Sequence, residues 1–290
     1  MVNEILTRLR QGHRTTRFPR GEPPALPDRF RGRLRVDTAL CRSGCRICFD
    51  ACPVAALDSE RRTVDLGRCL ACTDCVDACP EGALSFAPEY RLAARERGDL
   101  VVDLASDEVV LARELDRRMK RLFGRSLKLR QVSAGGCNAC EADANVLGTI
   151  GWDLGRFGIQ FVASPRHADG LFVTGPVTKN MELALMKTWE AVPEPKIVIA
   201  GGACAIAGGP YAGHGEVVGG VGALLPVDLY IPGCPPHPLT TLDGLLRLLG
   251  RIEKDRGQRP GKGAVGVTGS AAAQYPSDDA AASEPGTKNT

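Results

Sequence analysis

"CLACTDCVDACP", residues 69–80, carries four cysteines with two, two and three residues between them and a proline directly after the last. Three thiols this close can wrap three corners of one compact site. The fourth, held before a proline that turns the chain away, is aimed at a neighbouring site. Upstream, "CRICFDACPVAAL" (45–57) aligns with "CTDCVDACPEGAL" (72–84) at a period of 27 residues. Duplicated units of this size pack as pseudo-symmetric halves. Between them "RRTVDL" (61–66) reads as a short strand. The two sets are Cys41, Cys45, Cys48, Cys52 and Cys69, Cys72, Cys75, Cys79, and they differ only in that Cys41 and Cys45 have three residues between them rather than two.

The second set has the spacing that holds cubane iron–sulfur clusters, in which the last cysteine of each set serves the other cluster. A single zinc ion fits less well, because zinc sites usually split into well-separated pairs of ligands. The cross-over assigns Cys41, Cys45, Cys48 and Cys79 to one [4Fe–4S] cluster, and Cys52, Cys69, Cys72 and Cys75 to a second. This half resembles two-cluster ferredoxins, and more closely the ferredoxin-like subunit of complex I and of formate hydrogenlyase. The "FP…PP…FRG" arm before Cys41 and "PEYRLAARERGDLVV" (88–102) after Cys79 add to that likeness.

Four cysteines remain, each just after a run that reads as a strand: Cys137 and Cys140 in "LKLRQVSAGGCNAC", Cys204 in "KIVIAGGAC", Cys234 in "VDLYIPGCPP". With "IQFVASP" and "GLFVTGP" these are five strand candidates. The segments "ANVLGTI", "NMELALMKTWEAV" and "PLTTLDGLLRLLGRI" read as helices between or after them. That alternation predicts a parallel sheet with helices on its faces. Ligands of such sheets bind beyond the carboxyl ends of the strands. There three loops would gather four thiolates, with Gly135, Gly136, Gly201, Gly202 and Gly233 permitting close backbone approach. Four thiolates suit zinc or a cubane equally, and spacing alone favours neither.

The wider pattern, "CNACE" (137–141), "PRHADGLFVTGPVT" (165–178), "GGAC" (201–204) and "PGCPPHP" (232–238), resembles the small subunit of energy-converting (group 4) [NiFe] hydrogenases and the homologous 20 kDa subunit of NADH–quinone oxidoreductase. The likeness covers roughly residues 125–252. It implies that Cys137, Cys140, Cys204 and Cys234 bind a third [4Fe–4S] cluster, the one that exchanges electrons with the large subunit. Complex I chains of this type carry adjacent cysteines and hydrogenase chains carry C-x-x-C. Asn138 and Ala139 intervene here, which favours hydrogenase. A carboxylate after this pair has been linked to proton movement in relatives. The matching residues are Glu141 and Asp143, set against the plainer reading of solvated acids beside a loop.

The remaining totals narrow the class. A net charge of +3 and 5% aromatic residues argue against nucleic acid as a partner. No apolar run approaches the ~20 residues of a membrane span, and the Arg-rich first thirty residues lack a signal core. Twelve cysteines without secretion point to metal, not disulfides. Residues 1–35, with nine Arg, three acids and four Pro, read as an extended basic docking arm whose Phe18, Pro19, Leu26 and Phe30 pack on a neighbour. Residues 36–100 form the two-cluster domain. Residues 101–126 contain a connector helix over 106–123, with acids in its first turn, basic residues in its last and Gly124 as its stop. Residues 127–254 form the sheet domain, and 255–290, rich in Gly, Ala, Ser and Pro, a disordered tail. The fold class is therefore an α+β ferredoxin-like two-cluster domain followed by an α/β open parallel-sheet, flavodoxin-like domain. Arg166 and His167 read as surface or packing residues, His237 as the opening of the last helix, and His13 and His214 as lacking metal partners.

Neither half carries the paired motifs that would hold nickel and iron in a large subunit. The expected function is electron transfer inside a multisubunit, formate hydrogenlyase-like complex at the cytoplasmic face of the membrane. Three [4Fe–4S] clusters would connect a donor, such as formate dehydrogenase or a ferredoxin, to the hydrogenase or complex I-like large subunit, with membrane subunits reached through the complex. Quinone reduction by a complex I-like enzyme is the near alternative, and a zinc-stabilised scaffold the remote one.

Overall fold

The computed structural model describes residues 2–12, 14–106 and 108–252; His13 and the expected tail over 255–290 lie outside the described residues. The N-terminal half repeats one strand–helix–strand unit: β1 (Arg33–Val36), α2 (Ile47–Asp50) and β2 (Leu57–Asp58), then β3 (Thr63–Asp65), α3 (Asp74–Asp77) and β4 (Leu84–Ala87). Here α1 (Val2–Gln11) precedes them. The outer strands exchange partners: β1 pairs antiparallel with β4, Leu34 facing Phe86, and β2 with β3, Leu57 facing Val64. The helices α2 and α3 pack together, and the sequence period of 27 residues is thus a pseudo-twofold pair of units. A further strand, β5 (Val101–Asp103), extends the second ribbon by pairing antiparallel with β3.

After α4 (Arg117–Phe123) the chain builds a five-stranded parallel sheet from β6 (Leu127–Ser133), β7 (Ile159–Phe161), β8 (Gly170–Thr174), β9 (Ile197–Gly201) and β10 (Leu229–Ile231). The spatial order β7-β6-β8-β9-β10 is the flavodoxin-like 2-1-3-4-5 arrangement. Helices α5 (Ala139–Val146), α6 (Lys179–Ala191), α7 (Ala203–Ala207) and α8 (Pro238–Leu248) follow β6, β8, β9 and β10. Every residue of β8 and β9 is buried, as a strand covered on both faces requires. Alternate residues supply two cores. Phe172, Ile197 and Ile199 pack with α8, whereas Leu171, Val173 and Val198 share one buried cluster with Leu34, Val64, Leu84 and Leu100 of the N-terminal half. The two halves are joined by a common apolar core.

Three expectations change. The helix expected over 106–123 forms only over Arg117–Phe123, with the Asp116 carboxylate capping it by accepting the Met119 N–H at 2.9 Å. The preceding backbone spends its hydrogen bonds elsewhere: Ala112 N–H donates to Ala93 O and Leu115 N–H to Leu248 O. Val109, Ala112 and Leu115 are buried in a stretch that is neither helix nor strand, so tertiary pairing overrides helical propensity. The arm is also not extended throughout, since Val2–Gln11 is helical. Its remainder docks on its own chain. Thr16 N–H bonds Gly151 O, Arg156 donates to the carbonyls of Thr16 and Phe18, and Phe18 is buried edge-on to Tyr90. The helix expected over "ANVLGTI" begins earlier, at Ala139, and ends at Val146. Among the described residues no helix is long and apolar enough to cross a membrane.

Candidate functional site

The structure gathers the cysteines of the N-terminal repeat into two groups. Cys41, Cys45, Cys48 and Cys79 line one cavity together with Val36, Phe49 and Arg62. Cys52, Cys69, Cys72 and Cys75 line a second, walled by Leu34, Val64 and Phe86. The last cysteine of each set crosses to the other group because the one-turn helices α2 and α3 deliver it to the far side of the pseudo-twofold axis. The longer spacing before Cys45 does not keep Cys41 from its group. Left-handed Ala55 (φ 47°) and Ala71 (φ 52°) curl the chain so that main-chain N–H groups face sulfur. Ala56 N–H donates to Cys52 Sγ at 3.2 Å and Ala71 N–H to Cys69 Sγ at 3.4 Å.

The third group hangs from the sheet. Cys137 and Cys140 follow β6, at the switch point where β7 and β8 lie on opposite sides of that strand. Cys204 lies in α7 after β9, and Cys234 follows β10. Main-chain bonds stitch the last two loops: Gly202 N–H to Ile231 O and Ala203 N–H to Gly233 O, both 2.9 Å. Gly202 has φ +91°, and a Cβ there would stand 2.7 Å from Cys140 Sγ. Only glycine lets this turn come so near the thiol.

Burial pushes the Cys69 thiol up to about 11 and Cys75 up to about 12, with neighbouring thiolates adding repulsion. Burial likewise pushes Cys140 up to about 12, assisted by Glu141, Cys204, Cys234 and Cys137, and Cys204 up to about 11, assisted by Cys234 and Cys137. A thiol must lose its proton to become a ligand, so a metal entering among these cysteines would release protons. Packing places the groups side by side. Cys48 of the first and Cys75 of the second lie on the packed helices α2 and α3, and Cys69 of the second lines one cleft with Cys234 of the third. The second group neighbours both others.

Glu141 is buried rather than solvated, at 8% exposure, and its Oε1 accepts the Thr174 hydroxyl at 2.6 Å. Burial would raise its carboxyl, but hydrogen bonds from Ser133 and Thr174 hold it below the usual range. The bond ties the Cys140 turn to the end of β8. Asp143 lies in a cleft of about 310 Å³ with Arg31, Cys69, Cys234 and His237. Burial raises its carboxyl and His237 opposes the rise. His237 caps α8, its Nδ1 accepting the Leu239 N–H at 3.1 Å, while the rings of Phe30 and Trp152 stand edge-on to it. Arg166, His167 and His214 are exposed. Sequence reasoning missed Arg62 and Arg31, which donates to Ala71 O at 2.7 Å from the docked arm. Neither has a motif; both are placed by tertiary structure.

Four soft thiol donors around a small apolar cavity, with main-chain N–H groups aimed at sulfur, fit a cubane cluster. Among the described residues no three such side chains converge closely enough for a single metal ion.

Comparison with known proteins agrees with this chemistry. Residues 33–80 match the family described as "4Fe-4S dicluster domain", and 137–248 match "NADH ubiquinone oxidoreductase, 20 Kd subunit". The chain is 39% identical over 163 residues to formate hydrogenlyase subunit 7 of Escherichia coli (strain K12), which covers 56% of this chain and 63% of that one. It is 47% identical over 121 residues to an NADH-quinone oxidoreductase subunit of Geotalea uraniireducens (strain Rf4), covering 42% and 71%. Among solved structures, a chain from the membrane-bound sulfane sulfur reductase, an archaeal respiratory membrane complex, matches at 33% identity with a TM-score of 0.41, covering 47% of this chain and 75% of that one.

Fold and site together define an iron–sulfur electron-transfer subunit of an oxidoreductase. The chain belongs to the NADH–quinone oxidoreductase 20 kDa subunit family, here preceded in the same polypeptide by a [4Fe–4S] dicluster domain.

Proposed function

We propose that this chain relays electrons through three [4Fe–4S] clusters, held by Cys41, Cys45, Cys48 and Cys79, by Cys52, Cys69, Cys72 and Cys75, and by Cys137, Cys140, Cys204 and Cys234. The observation that carries the reading is the placing of the thiol groups: Cys48 and Cys75 lie on the packed helices α2 and α3, and Cys69 and Cys234 line one cleft, so the second group neighbours both others. The clusters supply the one-electron chemistry. The chain's own residues supply the ligands, exclude water with apolar walls, and direct N–H groups at the sulfurs. Fusion in one polypeptide fixes the spacing between the second and third groups through the shared core.

The assembly is a multisubunit [NiFe] hydrogenase of the formate hydrogenlyase type. The chain sits at the cytoplasmic membrane face through partner subunits, between a donor such as formate dehydrogenase or a ferredoxin and the large subunit. The C-x-x-C spacing at Cys137 and Cys140 supports this assignment, as does the likeness to formate hydrogenlyase subunit 7. A second reading, a complex I-like reductase of quinone, draws on the 47% identity to an NADH-quinone oxidoreductase subunit. Glu141, tied to Thr174 beneath Cys140, serves in either case as an anchor of the third ligand loop, and Asp143 is the acid with access to the cleft.

Anaerobic purification of the complex tests both levels. Expected are roughly twelve irons per chain and hydrogen uptake by the complex, with nickel in the large subunit. Quinone reduction without nickel would select the second reading. Colourless protein containing zinc would overturn the relay itself.

A further inference from the structure

Arg62 has no place in any cysteine motif, yet its Nη2 donates to Cys41 Sγ at 3.3 Å and its side chain lines the first cavity. The position is built, not incidental. In the turn between β2 and β3 the Asp58 carboxylate accepts the N–H groups of Glu60 at 2.9 Å and Arg61 at 3.1 Å. Arg62 then takes a left-handed conformation, φ +52°, and its carbonyl accepts the Leu104 N–H at 3.0 Å. Thr63, the next residue, is already paired with Asp103. The backbone of Arg62 is therefore fixed on both sides while its guanidinium reaches across to the cysteine with the longer spacing.

A guanidinium keeps its proton at any working pH. When the first cluster accepts one electron, the site gains one negative charge, and Arg62 neither gains nor loses a proton. A fixed cation hydrogen-bonded to a ligand sulfur stabilises the reduced form more than the oxidised form. Hydrogen bonding to sulfur and local charge are established means of tuning such potentials. Resting on the cluster assignment above, we propose that Arg62 is a positioning residue that holds Cys41 over the first cavity and raises the reduction potential of the cluster bound there, leaving the other two unaffected.

The test uses the full chain, purified without oxygen as wild type, Arg62→Gln and Arg62→Lys. Each is titrated potentiometrically with paramagnetic resonance as the readout. The first centre is identified as the signal that Cys45→Ala removes. Arg62→Gln is expected to bind its first electron about tenfold less tightly, a shift of about 59 mV to more negative potential for one electron. Arg62→Lys should shift less, and the remaining centres should stay where they are in both. An unmoved first centre in Arg62→Gln overturns the proposal, as does an equal shift of all centres. Should the glutamine protein lose the first centre, the lysine protein decides: a selective negative shift supports the proposal and an unmoved potential overturns it. If wild type shows no signal that depends on Cys45, the cluster assignment itself fails and the role of Arg62 falls with it.

Discussion

The two halves solve the same problem, bringing four thiols together, by opposite routes. In the N-terminal repeat three of each four cysteines come from one short run, and folding needs to bring in only one from the other unit. At the sheet edge four cysteines from three connections, Cys137 to Cys234, with Cys140 and Cys204 at the starts of α5 and α7, converge because β6, β9 and β10 end on the same side. Local collection needs little scaffold: α2 and α3 are single turns and the strands are two to four residues long. Collection at a distance needs a preformed sheet, and fully buried β8 and β9 provide it. On the proposed assignment, the first route would make the metal part of the fold, whereas the second would make the fold a precondition for the metal.

Iron removal should divide the halves most sharply. After anaerobic chelation, amide protection over residues 41–87 is expected to fall to that of a fluctuating chain, while β6, β8 and β9 keep theirs. Uniform loss across both halves would break the comparison. Gly202→Ala comes next. The Cβ contact with Cys140 Sγ and the strained φ should cost the proposed third centre, lowering iron by about four per chain while the two proposed N-terminal centres persist. Resonance spectra with all three signals intact would contradict the close approach. Phe172→Ala removes a buried ring packed edge-on to Phe161 at 5.6 Å, and denaturant unfolding of the sheet should lose about 3–5 kcal/mol.

The smallest effect concerns the junction. Burial would raise the Glu89 carboxyl, but the fork of bonds from Arg91, at 2.9 and 2.7 Å, holds it below its ordinary value. A depressed carboxyl contributes stability that is complete above its unfolded value and lost as pH falls through the folded one. Glu89→Gln should therefore be slightly less stable than wild type near neutrality, and the two should converge as pH drops below about 4. Melting curves that stay parallel to acid pH would exclude this linkage.

The same contrast governs how much the sequence disclosed. The repeat period marked out the two units, though not the helices α2 and α3 inside them, and apolar runs located β6 to β10, because each depends on residues close in the chain. The segment around Ala112 and Leu115 misled because its hydrogen bonds go to Ala93 and Leu248, which no local periodicity reports. Arg62 was equally silent. Its importance comes from a hairpin turn that happens to overhang Cys41, and in sequence it is one arginine beside another. Glu141 was noticed for its neighbours but its burial was not, since the Thr174 hydroxyl that satisfies it lies on another strand.

Ala94 and Tyr230 exchange main-chain hydrogen bonds at 3.0 and 2.8 Å, as an isolated antiparallel bridge along the free side of β10. An uncovered outer strand is a template for other chains. Excising residues 127–252 for separate production would strip that cover and leave a sticky margin beside Cys234. Such a fragment should self-associate, so a well-behaved truncation begins upstream of Ala93.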